Sequence, residues 1–318
     1  MGTVASVIAG AQESARVEEY AALCQGRMRE IEAALSLYRP DSELCRLNAL
    51  SGKGALTVGE HLRANLALAI RFGVLSGGAF DVTVGPVVRL WGFSGGNVPS
   101  EWVGPERLAE ALDRVGYSRI RLTGDQAVLE GTNMVVDLGG IAKGYAVDLC
   151  CEALLRRGAR NFVVNLGGNM RAYGRPERGR AWQIGVRDPF NTGAIVGRLD
   201  LAEGMAVSTS GNYERFVEIG GKRYAHIIDP RTGYPVQGMA GVTVVAPSAA
   251  DADALSTALF VLGVKAGEKV IASVSNGAAL FIPDRQPMEV EITAGMSKAF
   301  APGTGVNVRA IGRESGHE

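Results

Sequence analysis

The sequence predicts an α+β fold in which an N-terminal helical part packs on a strand-rich, antiparallel core. Apolar residues recur at helical spacing through two long stretches of the first 75 residues. From about residue 119 short apolar segments bounded by Gly, Asn, Asp and Pro predominate, with only two further helical stretches among them. No fixed-period repeat and no low-complexity linker divides the 318 residues, so the chain is read as one domain spanning 1–318.

Residues 1–8 predict a short strand. A helix follows from Gln12 to Leu35, because Val17, Ala21, Cys24, Met28, Ile31 and Leu35 recur every three or four positions. The run Tyr38-Arg39-Pro40-Asp41-Ser42 breaks it. A second helix is predicted to open at Thr57 with Glu60 completing a capping box. Its expected buried stripe is Leu62, Leu66, Ile70 and Val74, and Gly77-Gly78 ends it. A short helix covers 105–115. Strands are expected at 119–122, 127–129 and 134–137, then a helix over 141–157 closed by Gly158. Further strands are predicted at 162–165, 182–186, 194–201 and 206–208. Segments 215–219 and 223–228 flank Gly220-Gly221, which predicts a two-residue hairpin turn. After a strand at 241–246, Ser248 caps a helix running to Leu262, and strands at 278–282 and 288–292 follow.

Lys plus Arg number 33 and so do Asp plus Glu, so the formal charge is zero. That balance supplies no field to attract nucleic acid or an anionic membrane surface. No run of 18 apolar residues occurs, and no charged segment with an apolar stretch opens the chain, so neither a transmembrane helix nor a signal peptide is visible. Cys24, Cys45, Cys150 and Cys151 form no CxxC and read as small buried hydrophobes. Glycine is the outlier at 43 residues, nearly twice its usual ~7% share. These glycines cluster in short patterned segments, as loops that approach a ligand closely require.

The P-loop, the GxGxxG fingerprint, the GxSxG elbow and HExxH are all absent. What remains is a set of dense local strings. VDLGGIAKGYAVD (Val136–Asp148) is a strand, two glycines and a helix start, where free N–H groups can hold an anion and Lys143 adds a positive charge. Taken alone it reads equally as a tight turn with a solvated lysine. VNLGGN (Val164–Asn169) and VSTSGNYERF (Val207–Phe216) are turn-rich strings with clustered polar groups. HIIDPRTGYP (His226–Pro235) holds His226 at a strand end. The chain has only His61, His226 and His317, so any histidine chemistry falls on His226. Asp253 and Thr257 are four apart on the helix after Ser248 and can offer two hard oxygens to Mg²⁺, or simply form a polar face.

Together with MGT (Met1–Thr3), SLYRPDSELCRLN (Ser36–Asn48), GGAFDVTVGPVVRLWGF (Gly77–Phe93) and ADALSTALFVLG (Ala252–Gly263), these strings occur in one order from Met1 to about Ile292. In that order the chain resembles the ApbE family of FAD:protein FMN transferases. The resemblance implies a T-fold-like α+β architecture. It implies FAD as substrate, Mg²⁺ as cofactor, and transfer of FMN to a Thr or Ser hydroxyl of an acceptor protein with release of AMP. By motif position, Met1, Tyr38, Ala79, Phe80 and Asp81 would contact FAD, with Gly139, Lys143, Tyr145, His226 and Ile227 lining the same site. Asp253, Thr257 and the Ala142 carbonyl would hold the metal, and His226 and Lys143 would act in catalysis.

Two alternatives stand beside this reading. One is an FAD pyrophosphatase that gives FMN and AMP with water as acceptor, and the other is a flavin-binding protein that keeps FAD intact. Relatives in the family usually carry an export signal ahead of the MGT segment. The expectation is that Met1 is internal to a longer precursor delivered to the periplasm or cell envelope, the alternative being a cytoplasmic form.

Overall fold

A computed structural model describes residues 3–94, 99, 102–176, 179–191, 193–213 and 216–312, with Lys222 described in its backbone only. The chain opens with β1 (Ala5–Ala9), a 3₁₀ turn at Ala11–Arg16 and α1 (Val17–Leu35). Next comes α2 (Glu43–Ala49), a helix the sequence reading does not assign between the break at 38–42 and Thr57; Ser42 caps it by accepting from Cys45 N at 3.0 Å. Then come β2 (Ala55–Thr57) and α3 (Glu60–Leu75).

Thr57 does not cap α3. It pairs with Gln126 in a strand, and Gly59 takes the cap position with its N–H donating to Glu43 Oε2 at 2.9 Å. The buried stripe of α3 also differs from the expected one. Val74 is exposed and Ile70 half-buried, while Leu62, Leu66, Ala69, Phe72 and Gly73 are buried. Two contacts turn the helix that way. Phe72 meets Phe80 edge-on at 6.2 Å, and a Cβ on Gly73 would sit 2.5 Å from the Tyr117 ring.

The chain continues through α4 (Gly85–Leu90), α5 (Pro105–Leu112), β3 (Ile120–Thr123) and β4 (Gln126–Leu129). The strand expected at 134–137 shrinks to a single bridge between Val135 and Val84. Side chains act as its ladder partners instead. Asn48 accepts from Val136 N at 2.8 Å and donates to Val136 O at 3.0 Å, and Ser51 Oγ accepts from Met134 N at 2.8 Å. After α6 (Ala142–Arg156) come β5 (Phe162–Leu166), β6 (Asn169–Tyr173), β7 (Trp182–Arg187), β8 (Ile195–Leu201) and β9 (Ala206–Gly211). The hairpin of β10 (Phe216–Ile219) and β11 (Lys222–Ala225) turns on Gly220 and Gly221, at φ 58° and 73°, as the sequence predicts. Arg215, expected at its start, lies outside the described residues. The chain ends with β12 (Met239–Ala246), α7 (Ala249–Ala272), β13 (Ala278–Pro283), β14 (Glu289–Thr293), β15 (Phe300–Pro302) and β16 (Asn307–Ile311). Gly263, at φ 69° and ψ −176°, interrupts α7 where the sequence predicts its end.

The chain forms two compact units. The first comprises 29–142 and 212–237, and the second comprises 3–28, 143–211 and 238–312 within the described residues. The first holds the β2-β4-β3 sheet, the β10–β11 hairpin and an apolar cluster around Val87, Trp91, Leu108 and Ile228. The second is built on an eight-stranded sheet of order β1-β5-β6-β9-β12-β13-β14-β16, antiparallel except for β14–β16. A small β15-β8-β7 sheet belongs to the same unit.

Strand parity explains how the second unit is layered. On β13, Ala278, Leu280 and Ile282 join Leu199 and Leu201 of β8 in one apolar cluster. Phe281, pointing the other way, lies against α7 near Gly267 and Leu259. The large sheet is therefore covered on one face by the small sheet and on the other by α7. All eight residues of β12 are buried accordingly.

The start of α7 is itself buried, so its N-terminal N–H groups need protein partners. Asp148 on α6 supplies two of them. Its Oδ1 accepts from Ala249 N at 2.8 Å and its Oδ2 from Ala250 N at 2.9 Å. Ser248 Oγ takes the third, Asp251 N, at 3.0 Å, as the sequence predicts for this cap. Arg171 of β6 donates to Asp148 Oδ1 at 2.8 Å and supplies the counter-charge. Removing the carboxylate leaves two buried N–H groups and a buried guanidinium without it. Asp148→Ala is expected to destabilise the protein by about 3–5 kcal/mol, read from urea denaturation. A midpoint close to wild type would show that water replaces the carboxylate without cost.

Candidate active site

In the second unit the site is built where α6 and α7 cross. Gly144 permits the approach, because a Cβ there would lie 2.1 Å from the Ala249 carbonyl oxygen. Gly144 N donates to Asp253 Oδ2 at 3.0 Å, and Lys143 Nζ lies 3.6 Å from Asp253 Oδ1. Asp253 is 4% exposed. Burial pushes its carboxyl up from the ordinary carboxylate range, against the pull of Lys143 and of the Gly144 N–H. One N–H donor and one ammonium at 3.6 Å are the partners that compensate this buried carboxylate.

Thr257 stands one turn further along α7, half-buried, with Ser210 Oγ of β9 at 3.4 Å from its Oγ1. The donor set is one carboxylate and one hydroxyl with no imidazole or thiolate, which suits a hard cation completed by phosphate oxygens and water. Among the described residues no three His, Cys, Asp or Glu side chains cluster as a metal cage. The residues present therefore fit Mg²⁺ as a shared rather than caged ion. Tyr145, also named by the sequence, is nearly buried on the same helix.

In the first unit His226 follows β11 and opens a pinned turn. Val236 N donates to Ile227 O at 2.9 Å, Asp229 N to Tyr234 O at 2.9 Å and Gly233 N to Asp229 O at 2.7 Å. Trp91 Nε1 donates to Gly233 O at 2.7 Å, and Asp229 and Arg231 form a two-point ion pair. His226 is half-buried and meets the Phe93 ring edge-on at 6.4 Å. Ile227 is buried.

Ala79 and Phe80 are buried after the Gly77-Gly78 turn, and Tyr38 is 70% exposed. Asp81 is committed to the fold. Its Oδ1 accepts from Thr83 N at 2.8 Å and from Thr83 Oγ1 at 2.6 Å, and its Oδ2 from Tyr117 N at 2.8 Å. Gly139 is exposed and donates to Asp137 Oδ1 at 2.9 Å; Ala142 is buried at the first position of α6. Met1 lies outside the described residues.

The sequence reading brings Lys143 and Asp253 to one place, as the structure does, and Thr257 to the same helix face. It does not assign Asp148, Asn169, Ser208, Ser210 or Ser256. Asn169 Oδ1 accepts from Ser208 Oγ at 2.7 Å, and Ser256 Oγ lies 2.9 Å from Ser210 Oγ. The available signal was the coincidence of three polar strings, VNLGGN, VSTSG and ALST, whose side chains meet on one face of the sheet.

The ApbE family model matches residues 1–282. An FAD:protein FMN transferase of Haemophilus influenzae is 41% identical over 247 residues, covering 74% of this chain and 70% of that protein. One from Treponema pallidum is 38% identical over 295 residues, covering 87% and 79%. Among solved structures, the flavin transferase ApbE from Vibrio cholerae matches with a TM-score of 0.84 at 30% identity, over 94% of this chain and 96% of that one. The apo flavinyl transferase ApbE of Pseudomonas stutzeri matches with a TM-score of 0.82 at 31% identity, over 95% of each.

The α6–α7 crossing makes Gly144 the position where fold and site are coupled. Gly144→Ala is expected to cost about 1–3 kcal/mol of stability or more, because the obstacle is backbone and cannot rotate away. Thermal and urea melts measure this. A melt unchanged from wild type would mean that the two helices separate readily, and that the Gly144 N–H does not fix Asp253.

Proposed function

The chain belongs to the ApbE family, and from that premise we propose that this transferase moves FMN from FAD to a Thr or Ser hydroxyl of an acceptor protein, releasing AMP, with Mg²⁺ as cofactor. The observation that carries the reading is Asp253: a buried carboxylate paired with Lys143, with the Thr257 hydroxyl one turn along. Sequence relatives named FAD:protein FMN transferase supply the reaction.

In the second unit Asp253 and Thr257 would hold the metal; the family pattern also assigns the Ala142 carbonyl, in the first unit, as a ligand. When bound, the ion supplies charge neutralisation on the pyrophosphate oxygens. Lys143 binds the phosphates and offsets charge as the P–O–P bond breaks. In the first unit His226, held at the start of its pinned turn, accepts the proton of the acceptor hydroxyl. That oxygen attacks the phosphorus of the FMN half. The bond from this phosphorus to the bridging oxygen breaks, and the electron pair leaves with AMP. Ala79, Phe80 and Ile227 supply apolar bulk suited to an isoalloxazine, and Tyr38 presents an exposed aromatic face.

Two predictions follow from these roles. His226→Ala is expected to retain FAD binding and to slow FMN transfer by roughly 10²–10⁴-fold. The measurement is intact mass of an acceptor incubated with enzyme, FAD and Mg²⁺. Undiminished transfer would remove His226 from the mechanism, and AMP release without a mass gain would make water the acceptor.

Asp253→Asn is expected to raise the Mg²⁺ needed for half-maximal transfer, and Thr257→Val to raise it less, since the first deletes a charge and the second a neutral oxygen. Superimposable Mg²⁺ titrations of wild type and both variants would place the metal elsewhere.

A further inference from the structure

The polar strings of β6, β9 and α7 meet in a chain of hydroxyls whose hydrogen polarity can be worked out. Ser256 Oγ donates to Asp253 O, three residues back on α7, at 2.9 Å. A hydroxyl has one hydrogen, so toward its other neighbours Ser256 can only accept. Ser208 spends its own hydrogen on Asn169 Oδ1 at 2.7 Å, and the Asn169 amide is oriented by Nδ2 donating to Leu166 O at 3.3 Å. The 3.3 Å contact between Ser208 and Ser256 is therefore one between two lone pairs.

Ser210 lies 2.9 Å from Ser256 Oγ and, with the Ser256 hydrogen on the Asp253 carbonyl, is the donor of that bond. Its hydrogen is then used, and toward Thr257 it can only accept. In this polarity the Thr257 hydroxyl, 3.4 Å away, is the donor of its contact with Ser210. The run is thus Thr257 to Ser210 to Ser256 to the Asp253 carbonyl. Its direction is set at the far end by a backbone group that can never donate.

We propose that Ser210, through Ser256, is a positioning residue for the metal site: it takes the Thr257 hydrogen and leaves the Thr257 lone pairs for a cation. The inference rests on the reading of Asp253 and Thr257 as metal ligands. A neutral hydroxyl ligates through a lone pair, and one free to rotate spends part of its time presenting hydrogen to the ion. Second contacts that fix a ligand's orientation raise metal affinity. Strand parity makes the arrangement specific. Ser208 and Ser210 are two apart on β9 and share the face toward α7, while Val207, between Ala206 and Ser208, joins the apolar cluster on the opposite face.

The test is Mn²⁺ binding to the FAD-free protein, followed by electron paramagnetic resonance, with thermal melts alongside. Ser210→Ala is expected to weaken Mn²⁺ binding roughly 10-fold with a folded melt. Ser210→Thr keeps a hydroxyl on a strand that favours β-branched residues, and should bind close to wild type. In a Thr257→Val background Ser210→Ala should cause no further loss, because the hydroxyl it orients is gone.

Wild-type affinity in Ser210→Ala, with weak binding in Asp253→Asn and Thr257→Val, would overturn the role of Ser210 and leave the metal ligands standing. A Ser210→Ala loss that persists undiminished in the Thr257→Val background would overturn it too, as a general structural effect. Equal Mn²⁺ binding by wild type, Asp253→Asn and Thr257→Val would overturn the ligand assignment, and the inference with it.

Discussion

The second unit depends on one carboxylate, that of Asp148. A helix that begins inside a protein must find partners for N–H groups that water would otherwise satisfy. Asp148 meets Ala249 N and Ala250 N from a neighbouring helix, so the cap also sets the register between α6 and α7. One turn back along α6 from Asp148 is Gly144, and one turn forward along α7 from Ala249 is Asp253; these two also meet, at 3.0 Å. The two contacts fix an antiparallel crossing, and the missing side chain at Gly144 sets its closeness. Asp253 therefore occupies its place because of a cap formed a turn away. Lys143, adjacent to Gly144 in the chain, is delivered to the same carboxylate.

The sheet adds the other side of that arrangement. β9 lies between β6 and β12, and its two-residue period sends Val207 to one apolar layer and Ser208 and Ser210 to α7. A polar row facing a buried helix is costly unless every hydroxyl finds a partner. Asn169, Ser256, Thr257 and the Asp253 carbonyl provide them. The same small polar residues satisfy the burial requirement and surround the carboxylate.

What the sequence made legible was local. Ser248 as a cap, Gly220-Gly221 as a hairpin turn, the span of α6 and the stop at Gly263 all follow from residues within a few positions of one another. The cases that failed have distant causes. Thr57 looks like a cap until β4 takes it as a strand partner. Residues 134–137 look like a strand, but only Val82 and Gly85 bond their backbone across a single bridge, and Asn48 and Ser51, more than 80 residues earlier, take the other groups by side chain. β6 follows the Gly167-Gly168 turn directly, at φ 59° and 89°, and its first residue had already been read as part of that turn. The unit boundaries fall inside α1 and at the start of α6, where composition does not change. The proximity of Lys143 to Asp253, with Thr257 one turn along, agrees with the grouping that motif order implies. Asp148 and the serines were not legible in the sequence, because a side chain that bonds a distant backbone or hydroxyl leaves no periodic trace.

Two buried aspartates, Asp81 expected at FAD and Asp253 expected at the metal, differ in how their lone pairs are used. Asp81 and Asp253 both lie in motif strings, both are buried, and burial pushes both carboxyls up from the ordinary range. Asp81 accepts three hydrogen bonds from two backbone N–H groups and one hydroxyl, all at 2.8 Å or less, and ties the turn after Ala79 to Tyr117. Its charge is spread over fixed donors, as a scaffold requires. Asp253 has one N–H donor, and its second oxygen faces an ammonium at 3.6 Å, beyond hydrogen-bond range. A buried ion pair of this kind is weak evidence for stability, since an apolar replacement of similar volume often does as well. With three fixed donors Asp81 is held by the turn it builds, whereas Asp253, with one, is the aspartate on which the proposed metal site draws.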